Sequence, residues 1–223
     1  MSLTELQRRL LTDVLAVGTP YPLALTGGHA VGEHGLVDRG SQDLDVATES
    51  PEGMAVIAAA VRAGLEERGW RVTALDADPL SAQLMVADPG TDEECEVDVH
   101  KEALWRPPVD GAYGPVLDLE DVVGTKVRAL VDRGLARDLV DVRAAAAQWS
   151  RVELEELGRR HARDVFDLTD LQTRLVGAEW LDDREFAACG LDEAAIAGLR
   201  RWAQEWADDI AERLQELAGP EDE

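Results

Sequence analysis

An alternating strand pattern that carries two aspartates constrains the fold of this chain more than any other feature. Residues 42–48 alternate acidic and apolar side chains, which predicts a strand with one buried face. Asp43 and Asp45 are two residues apart and project to the same face of that strand. Two carboxylates on one face repel each other unless a cation lies between them, and a hard divalent cation with oxygen ligands suits that position best. The pattern therefore predicts a metal-binding face on a sheet.

A glycine pair lies just before this strand in the chain. An apolar stretch over residues 22–26 predicts a buried strand, and Gly27 and Gly28 follow it, before a short helix predicted over residues 29–36. Backbone N–H groups in a glycine turn at a helix start favour phosphate, and so does the helix dipole. Together with the aspartates, the glycines predict a site for a metal ion and a nucleotide.

A third acidic strand extends the predicted site. Residues 95–99 alternate again, with Glu96 and Asp98 on one face and apolar residues on the other. If this strand lies beside the first acidic strand, Asp98 completes three carboxylates around one or two Mg²⁺ ions. Asp98 is then also placed to accept the proton of an attacking hydroxyl. The competing interpretation is the solvated face of an edge strand.

Two polar residues occupy apolar stripes in the second half of the chain. In a helix predicted to start at Asp118, Lys126 falls on the apolar stripe, so it points toward the core or a cleft. A lysine there requires an anion such as a triphosphate, or else lies at the margin of the stripe with its amine in solvent. In the next helix, Asp138 shares an apolar stripe. Asp138 and Asp141 are interpreted as partners of Lys126 or of a nucleotide, or as members of an ordinary ion pair.

Two residues precede the aspartate pair closely enough to reach the same cleft. Arg39 suits a bidentate contact with phosphate, whereas Ser41 is more plainly the start of the strand. The predicted site depends less on the histidines. His100 is interpreted as a strand-end surface residue, and His29 and His34 are not interpreted as metal ligands.

The periodicities divide the chain into a mixed α/β half and an all-helical half. No strand is predicted after about residue 112, and the acidic tail at residues 219–223 is expected to fray. The predicted class is α+β, with a mixed-sheet domain over residues 1–112 and an all-α domain over residues 113–223. The further predicted elements are helices over residues 3–16 and 51–68, strands over 70–75 and 83–86, and helices from Asp118 to Leu217 with breaks near Gly134, Ser150, Gly177 and Gly190.

Composition restricts the class of protein. The chain has 22 basic and 46 acidic residues, a net charge of −24, and a hydrophobic content of 45% that is typical of a globular protein. So acidic a surface argues against broad nonspecific binding of nucleic acid, although a local basic cleft stays open. Cys95 and Cys189 have no metal or redox spacing, which indicates a reduced, cytoplasmic protein. Neither a secretory pattern nor a membrane span is recognised.

The ordered motifs resemble the nucleotidyltransferase superfamily of DNA polymerase β, and more narrowly the AbiEii-type nucleotidyltransferases, whose members include toxins of type IV toxin–antitoxin systems. The resemblance spans nearly the whole chain. It rests on Gly27-Gly28, Arg39-x-Ser41-x-Asp43-x-Asp45, Val97-Asp98, Lys126, Arg137-Asp138-x-x-Asp141 and the segment from Glu185 to Asp192.

The resemblance implies a fold and a set of roles. It implies an N-terminal nucleotidyltransferase domain and a helical domain that contributes Lys126 and Asp138 to the cleft. Gly28 replaces a serine found in many members of the superfamily, which removes a hydroxyl from the phosphate site. The implied nucleotide-binding residues are Gly27, Gly28, Arg39, Ser41, Lys126 and Asp138, and the implied ligands of Mg²⁺, or alternatively Mn²⁺, are Asp43, Asp45 and Asp98.

The leading hypothesis is a Mg²⁺-dependent nucleotidyltransferase that moves an NMP unit from an NTP to an acceptor hydroxyl and releases pyrophosphate. The family implies RNA, such as the tRNA 3′ end, as one acceptor, while the net charge of −24 keeps a protein hydroxyl or an aminoglycoside-like small molecule open. The competing hypothesis is a catalytically weak or inactive fold that senses nucleotides or pairs with an antitoxin. A glycosyltransferase using Asp-x-Asp ranks last, because the long strand–helix series of a nucleotide-sugar domain is missing.

Overall fold

The computed structural model describes residues 3–218, and the predicted fraying tail lies outside them. The chain forms two compact units that divide between Val122 and Val123. Within the described residues, the first unit combines a mixed sheet with helices and the second unit is helical. The predicted α+β class is therefore confirmed, whereas the predicted domain boundary after residue 112 stays a prediction.

The first unit is built on seven strands among the described residues. The strand order is β3-β4-β5-β2-β1-β7-β6, with β2 parallel to β5, β1 parallel to β7, and the other neighbours antiparallel. The helices are α1 (Glu5–Val17), α2 (Gly27–Glu33) and α3 (Met54–Glu67), and the strands are β1 (Ala24–Leu25), β2 (Leu44–Thr48), β3 (Arg71–Ala77), β4 (Ser81–Ala87), β5 (Glu94–Lys101), β6 (Val109–Gly111) and β7 (Gly114–Val116).

The core of this unit follows the predicted periodicities. Thr4 caps the N-terminus of helix α1. Its hydroxyl oxygen accepts a hydrogen bond from Gln7 N, and the Gln7 side-chain oxygen accepts one from Thr4 N. The apolar stripe of α1 joins that of α3 and the apolar faces of the central strands in one buried cluster. Gly64 of α3 lies against the side chain of Val17, where a Cβ would overlap it, so the two helices approach closely. The opposite face of the central strands is polar, and the candidate functional site lies on that face.

One predicted feature of the sheet is wrong. Strands do not stop near residue 112, since β7 lies beyond it and inserts beside β1, with Leu25 opposite Val116. The reason is local: β6 and β7 are three residues long, and β7 contains Gly114 and Pro115, so neither strand has a readable alternation. Strand β1 is also shorter than predicted, with only two residues in the ladder.

Helices fill the described part of the second unit, as predicted. Gly134 and Gly190 have positive φ angles of 63° and 88°, and Ser150 caps α6, so three of the four predicted breaks have a local cause. No described helix is both long and apolar enough to cross a membrane. The helices are α4 (Leu119–Asp132), which crosses the division, α5 (Ala136–Ala145), α6 (Arg151–Arg160), α7 (Leu168–Gly177), α8 (Asp183–Ala188) and α9 (Glu193–Ala218), with a 3₁₀ turn at Ala178–Trp180.

A buried carboxylate links α6 to α9. The side chain of Glu155 is 3% exposed and accepts hydrogen bonds from the indole N–H of Trp206 at 2.8 Å and from Arg213 at 2.6 and 2.9 Å. The bidentate guanidinium compensates for the cost of burying the carboxylate. The link is therefore sensitive to loss of either partner.

Replacing Arg213 by leucine should lower the free energy of unfolding by about 2–4 kcal/mol, because the buried Glu155 carboxylate loses its counter-charge. Urea unfolding followed by circular dichroism measures the loss. The matched control is Arg62→Ala, which breaks an exposed pair with Glu66 and should cost less than about 0.5 kcal/mol. Equal losses in the two variants would contradict the structural importance of Glu155.

Candidate metal and nucleotide site

The two predicted acidic strands are neighbours. Strand β2 runs parallel to β5, and Asp45 lies directly opposite Asp98 in the register. Residues opposite each other share a face of the sheet, so the two carboxylates project together. On the other face, the adjacent pair Leu44 and Val97 is fully buried. Because β5 lies between β4 and β2, the alternative interpretation of Asp98 as part of an edge strand is wrong.

A histidine joins the two aspartates. One ligand atom from each of Asp45, Asp98 and His100 lies within 4.8 Å of the other two, the arrangement that a shared metal ion requires. His100 Nε2 is 3.5 Å from Asp45 Oδ1, and the two side chains are 27% and 22% exposed. His100 thus lies next to the last residue of β5, as expected from the sequence, but it is half-buried and not fully exposed on the surface. The signal was present in the alternation, since His100 is two residues after Asp98.

The Asp98 carboxyl group has an unusual environment. Burial, followed by the negative charge of Asp45, raises its pKa to about 6. Its Oδ1 atom is buried and has no hydrogen-bond partner among the residues that the structure describes. A buried carboxylate oxygen without a hydrogen-bond donor, beside a second carboxylate, is incompletely compensated for its burial, although the neighbouring His100 opposes the rise in pKa. The donor set therefore fits a divalent cation.

Asp43 lies one residue before β2 rather than within it, and it is half-buried. It is not a member of the cluster formed by Asp45, Asp98 and His100. Its negative charge still contributes to the raised pKa of Asp98, so it lies within electrostatic reach of the site. A role for Asp43 as a metal ligand stays a prediction.

Gly27 brings the start of α2 against Asp45. Its φ angle is +64°, a left-handed conformation that costs glycine little, and a Cβ at this position would overlap the Asp45 carboxylate. Both the backbone conformation and the close approach therefore require glycine. The backbone at the start of α2 consequently lies directly beside a candidate metal ligand.

Gly28 faces the segment that precedes β2. A Cβ on Gly28 would lie 2.8 Å from Ser41 Oγ and 3.5 Å from Arg39 Nη1, so both predicted residues flank the glycine pair. Gln7 of α1 fixes this segment by donating from Nε2 to the carbonyls of Ser41 and Gln42 at 2.9 and 3.1 Å. Gln7 is 5% exposed and was missed by sequence reasoning, because nothing local to α1 indicates its distant partners.

His29 also faces this segment. Burial, more than any other cause, lowers the pKa of its imidazole, and the positive charge of Arg39 acts in the same direction. Its Nε2 atom is buried without a hydrogen-bond partner in the described part of the chain. His29 is not a member of the donor cluster.

The helical unit holds the remaining predicted residues in ion pairs. Lys126 of α4 lies 3.0 Å from Asp141 of α5, and their side chains are 9% and 0% exposed. The fully buried Asp138 accepts two hydrogen bonds of 2.9 Å from Arg133 and one of 3.2 Å from Leu135 N, at the start of α5. Pairing of Lys126 with this acidic segment is thus confirmed. Contact of Lys126 and Asp138 with a nucleotide stays a prediction.

Replacing Gly27 by alanine should destabilise the protein more than the same change at Gly35. Both glycines have positive φ, of +64° and +70°, but a Cβ on Gly35 meets nothing within 4 Å. We expect about 1 kcal/mol for the backbone strain at Gly35 and at least about 2 kcal/mol at Gly27, where the Asp45 carboxylate must also move. Urea unfolding measures both values, and equal losses would contradict the close approach.

Replacing Asp98 by asparagine should stabilise the metal-free protein. The folded-state pKa of about 6 lies above the ordinary value of 3.8, so the native protein loses stability as the pH rises between these values. Asparagine removes that loss. In a chelator, the gain should reach about 1–2 kcal/mol above pH 6, below the full linkage value of about 3 kcal/mol because solvent screens the partly exposed carboxyl, and vanish below about pH 4. Thermal unfolding across this pH range checks the direction, and a variant less stable at pH 8 would contradict it.

Comparison with known proteins identifies a family and solved structures of similar fold. The model of a family described as nucleotidyl transferase AbiEii toxin, type IV toxin–antitoxin system, matches residues 9–218. No curated protein matches the chain. The solved structure of JHP933 from Helicobacter pylori is 16% identical with a TM-score of 0.56, and the match covers 97% of this chain and 98% of that one. MenT4, the nucleotidyltransferase toxin Rv2826c from Mycobacterium tuberculosis H37Rv, is 17% identical with a TM-score of 0.60, covering 92% and 82%.

These two structural likenesses show a shared fold, and the family match covers nearly the whole chain. The chain therefore belongs to the AbiEii nucleotidyltransferase toxin family.

Proposed function

We propose that the chain is a metal-dependent nucleotidyltransferase that transfers an NMP unit from an NTP to an acceptor hydroxyl and releases pyrophosphate. The observation that carries the proposal is the β2–β5 register, which places Asp45 opposite Asp98 on the polar face of the sheet. Gly27 adds the start of α2 directly beside Asp45. A carboxylate pair beside backbone N–H groups is suited to a metal ion that carries a triphosphate.

The donor set is suited to Mg²⁺, with Mn²⁺ as the alternative. Asp45 and Asp98 would hold the ion, and Asp43 would complete the predicted acidic set. The orphaned Oδ1 atom of Asp98 supports this assignment because it is buried without a compensating donor in the described structure. A bound divalent ion would neutralise phosphate charge and polarise the α-phosphorus.

The residues of the chain would position and activate the reactants. Backbone N–H groups of Gly27 and Gly28, together with the Arg39 guanidinium, would bind phosphate oxygens. Asp98 would also accept the proton of the acceptor hydroxyl, because its carboxylate lies beside the position at which the reactants would meet the ion. The acceptor oxygen then bonds to the α-phosphorus, and the bond from that phosphorus to the bridging oxygen breaks, so pyrophosphate leaves with the electron pair.

RNA is the acceptor class that the family relationship favours, with a terminal hydroxyl as the attacking group. A toxin of a type IV system is opposed by an antitoxin, so we expect such a partner for this chain. A protein hydroxyl or an aminoglycoside-like small molecule is the competing acceptor, because the net charge of −24 disfavours broad binding of a polyanion.

Wild-type protein should transfer label from α-phosphate-labelled NTPs to an acceptor in total RNA when Mg²⁺ is present. Asp45→Asn and Asp98→Asn should each lower the transfer rate about 100-fold or more, because each removes charge from the metal and phosphate site. The control is Asp110→Asn, an exposed carboxylate on β6, which should retain full activity. Cell lysate and aminoglycosides serve as the other acceptors. If the folded protein transfers label from none of the NTPs to any of the acceptors, the proposal is wrong.

A nucleotide-binding module without turnover is the competing function, and it would follow if Lys126 stays paired within the helical unit instead of stabilising charge on the phosphates during transfer. Lys126 and Asp138, both predicted to contact a nucleotide, are each held in an ion pair within that unit. This function predicts NTP binding in equilibrium dialysis without release of pyrophosphate. It also predicts that any effect on cell growth survives Asp45→Asn.

A further inference from the structure

His100 occupies a position that the motif resemblance assigns to no residue. The β2–β5 register places it opposite Ala47, two residues beyond the Asp45–Asp98 pair on the same face. Its Nε2 atom is 3.5 Å from Asp45 Oδ1. Adjacent ligands in an octahedral shell with bonds of about 2.1 Å are about 3 Å apart, and opposite ligands about 4.2 Å. The three donor atoms, within 4.8 Å of one another, therefore need only small shifts to share one ion.

Simpler roles account poorly for this placement. A histidine with only a surface role would be open to solvent, whereas the side chain of His100, next to the last residue of β5, is only 27% exposed. A strong charged hydrogen bond to Asp45 would have a length of about 2.7–2.9 Å, and the observed separation is 3.5 Å. A metal ion between the imidazole and the carboxylates would also engage the Asp98 Oδ1 atom, which has no hydrogen-bond partner among the described residues.

We propose that His100 is a nitrogen ligand of the metal site and that the site consequently prefers Mn²⁺ to Mg²⁺. The inference rests on the metal site of the proposed function, and it adds His100 as a nitrogen donor beside the carboxylates of Asp45 and Asp98. Mg²⁺ prefers oxygen ligands and keeps several waters, whereas first-row transition-metal ions bind imidazole more readily. Among these ions, Mn²⁺ shares with Mg²⁺ a preference for carboxylate ligands. The preference is a property of the protein before nucleotide binds.

Binding of Mn²⁺ to the metal-free, full-length protein, in the absence of nucleotide, tests the proposal. The electron paramagnetic resonance signal of free Mn²⁺ reports binding, and competition by Mg²⁺ gives the preference. We expect wild-type protein to favour Mn²⁺ at least about 10-fold. His100→Gln should lower Mn²⁺ affinity about 10-fold or more while changing Mg²⁺ affinity less than about 3-fold. Asp45→Asn should weaken the binding of both ions.

The control variant is His34→Gln. His34 is paired with the Leu117 carbonyl at 2.7 Å, so this change removes an imidazole without touching the proposed site and should leave Mn²⁺ affinity unchanged. Imidazole ¹⁵N spectra with Zn²⁺ as a diamagnetic probe add a direct readout. Because the sequence contains four histidines, few imidazole signals are expected. On addition of Zn²⁺ the nitrogen signals of His100 should shift, whereas those of His34 should not.

Each outcome decides the proposal. Equal Mn²⁺ affinity in wild-type protein and His100→Gln, no Mn²⁺ preference, or no Mn²⁺ binding by wild-type protein would overturn it. If His100→Gln fails to fold by circular dichroism, the ¹⁵N spectrum of the wild-type protein decides. The assay contains no NTP or acceptor, so its outcome is independent of the proposed activity. Nucleotide transfer without Mn²⁺ binding through His100 would overturn only the ligand assignment. Mn²⁺ binding through His100 without nucleotide transfer would overturn only the proposed activity.

Discussion

The register between β2 and β5 is the constraint on which the rest of the candidate site depends. It places Asp45 beside Asp98, and this pairing is unfavourable in the absence of a cation because like charges repel in a partly buried place. The apolar faces of the same strands maintain the register, since a slip of one residue would expose Leu44 and Val97 and bury the carboxylates. The core therefore maintains an arrangement that the charges oppose, which is typical of sites where stability is given up for function.

Several elements of the first unit hold this face together from different parts of the chain. Gly27 allows the start of α2 to reach Asp45, and Gly28 allows the segment with Ser41 to lie against it. Gln7, buried on α1, fixes the same segment through two backbone carbonyls. Because the contacts come from a helix, a glycine turn and two strands, the geometry is set by the folded unit as a whole and not by a single motif.

The helical unit stabilises its charges in a different way. Its buried carboxylates at Asp138, Asp141 and Glu155 all have cationic partners at hydrogen-bonding distance. Pairing compensates for the desolvation of each charge, so loss of one partner would leave an uncompensated charge in the helical interior. The contrast with Asp98, whose Oδ1 atom has no hydrogen-bond partner among the described residues, distinguishes a structural carboxylate from a candidate functional one.

The sequence by itself determined the α+β class, the long helices and strands, and the face on which Asp45 and Asp98 project, because each of these follows from a periodicity of two or 3.6 residues. It missed β6 and β7, which are too short to show a period, and the tether from Gln7, whose partners are more than thirty residues away. Only the tertiary structure decided that β5 is the parallel neighbour of β2, that His100 joins the two aspartates, and that Lys126 pairs with Asp141. The physical reason is that local patterns fix which side of an element a residue faces, whereas strand order and helix packing fix what it meets there.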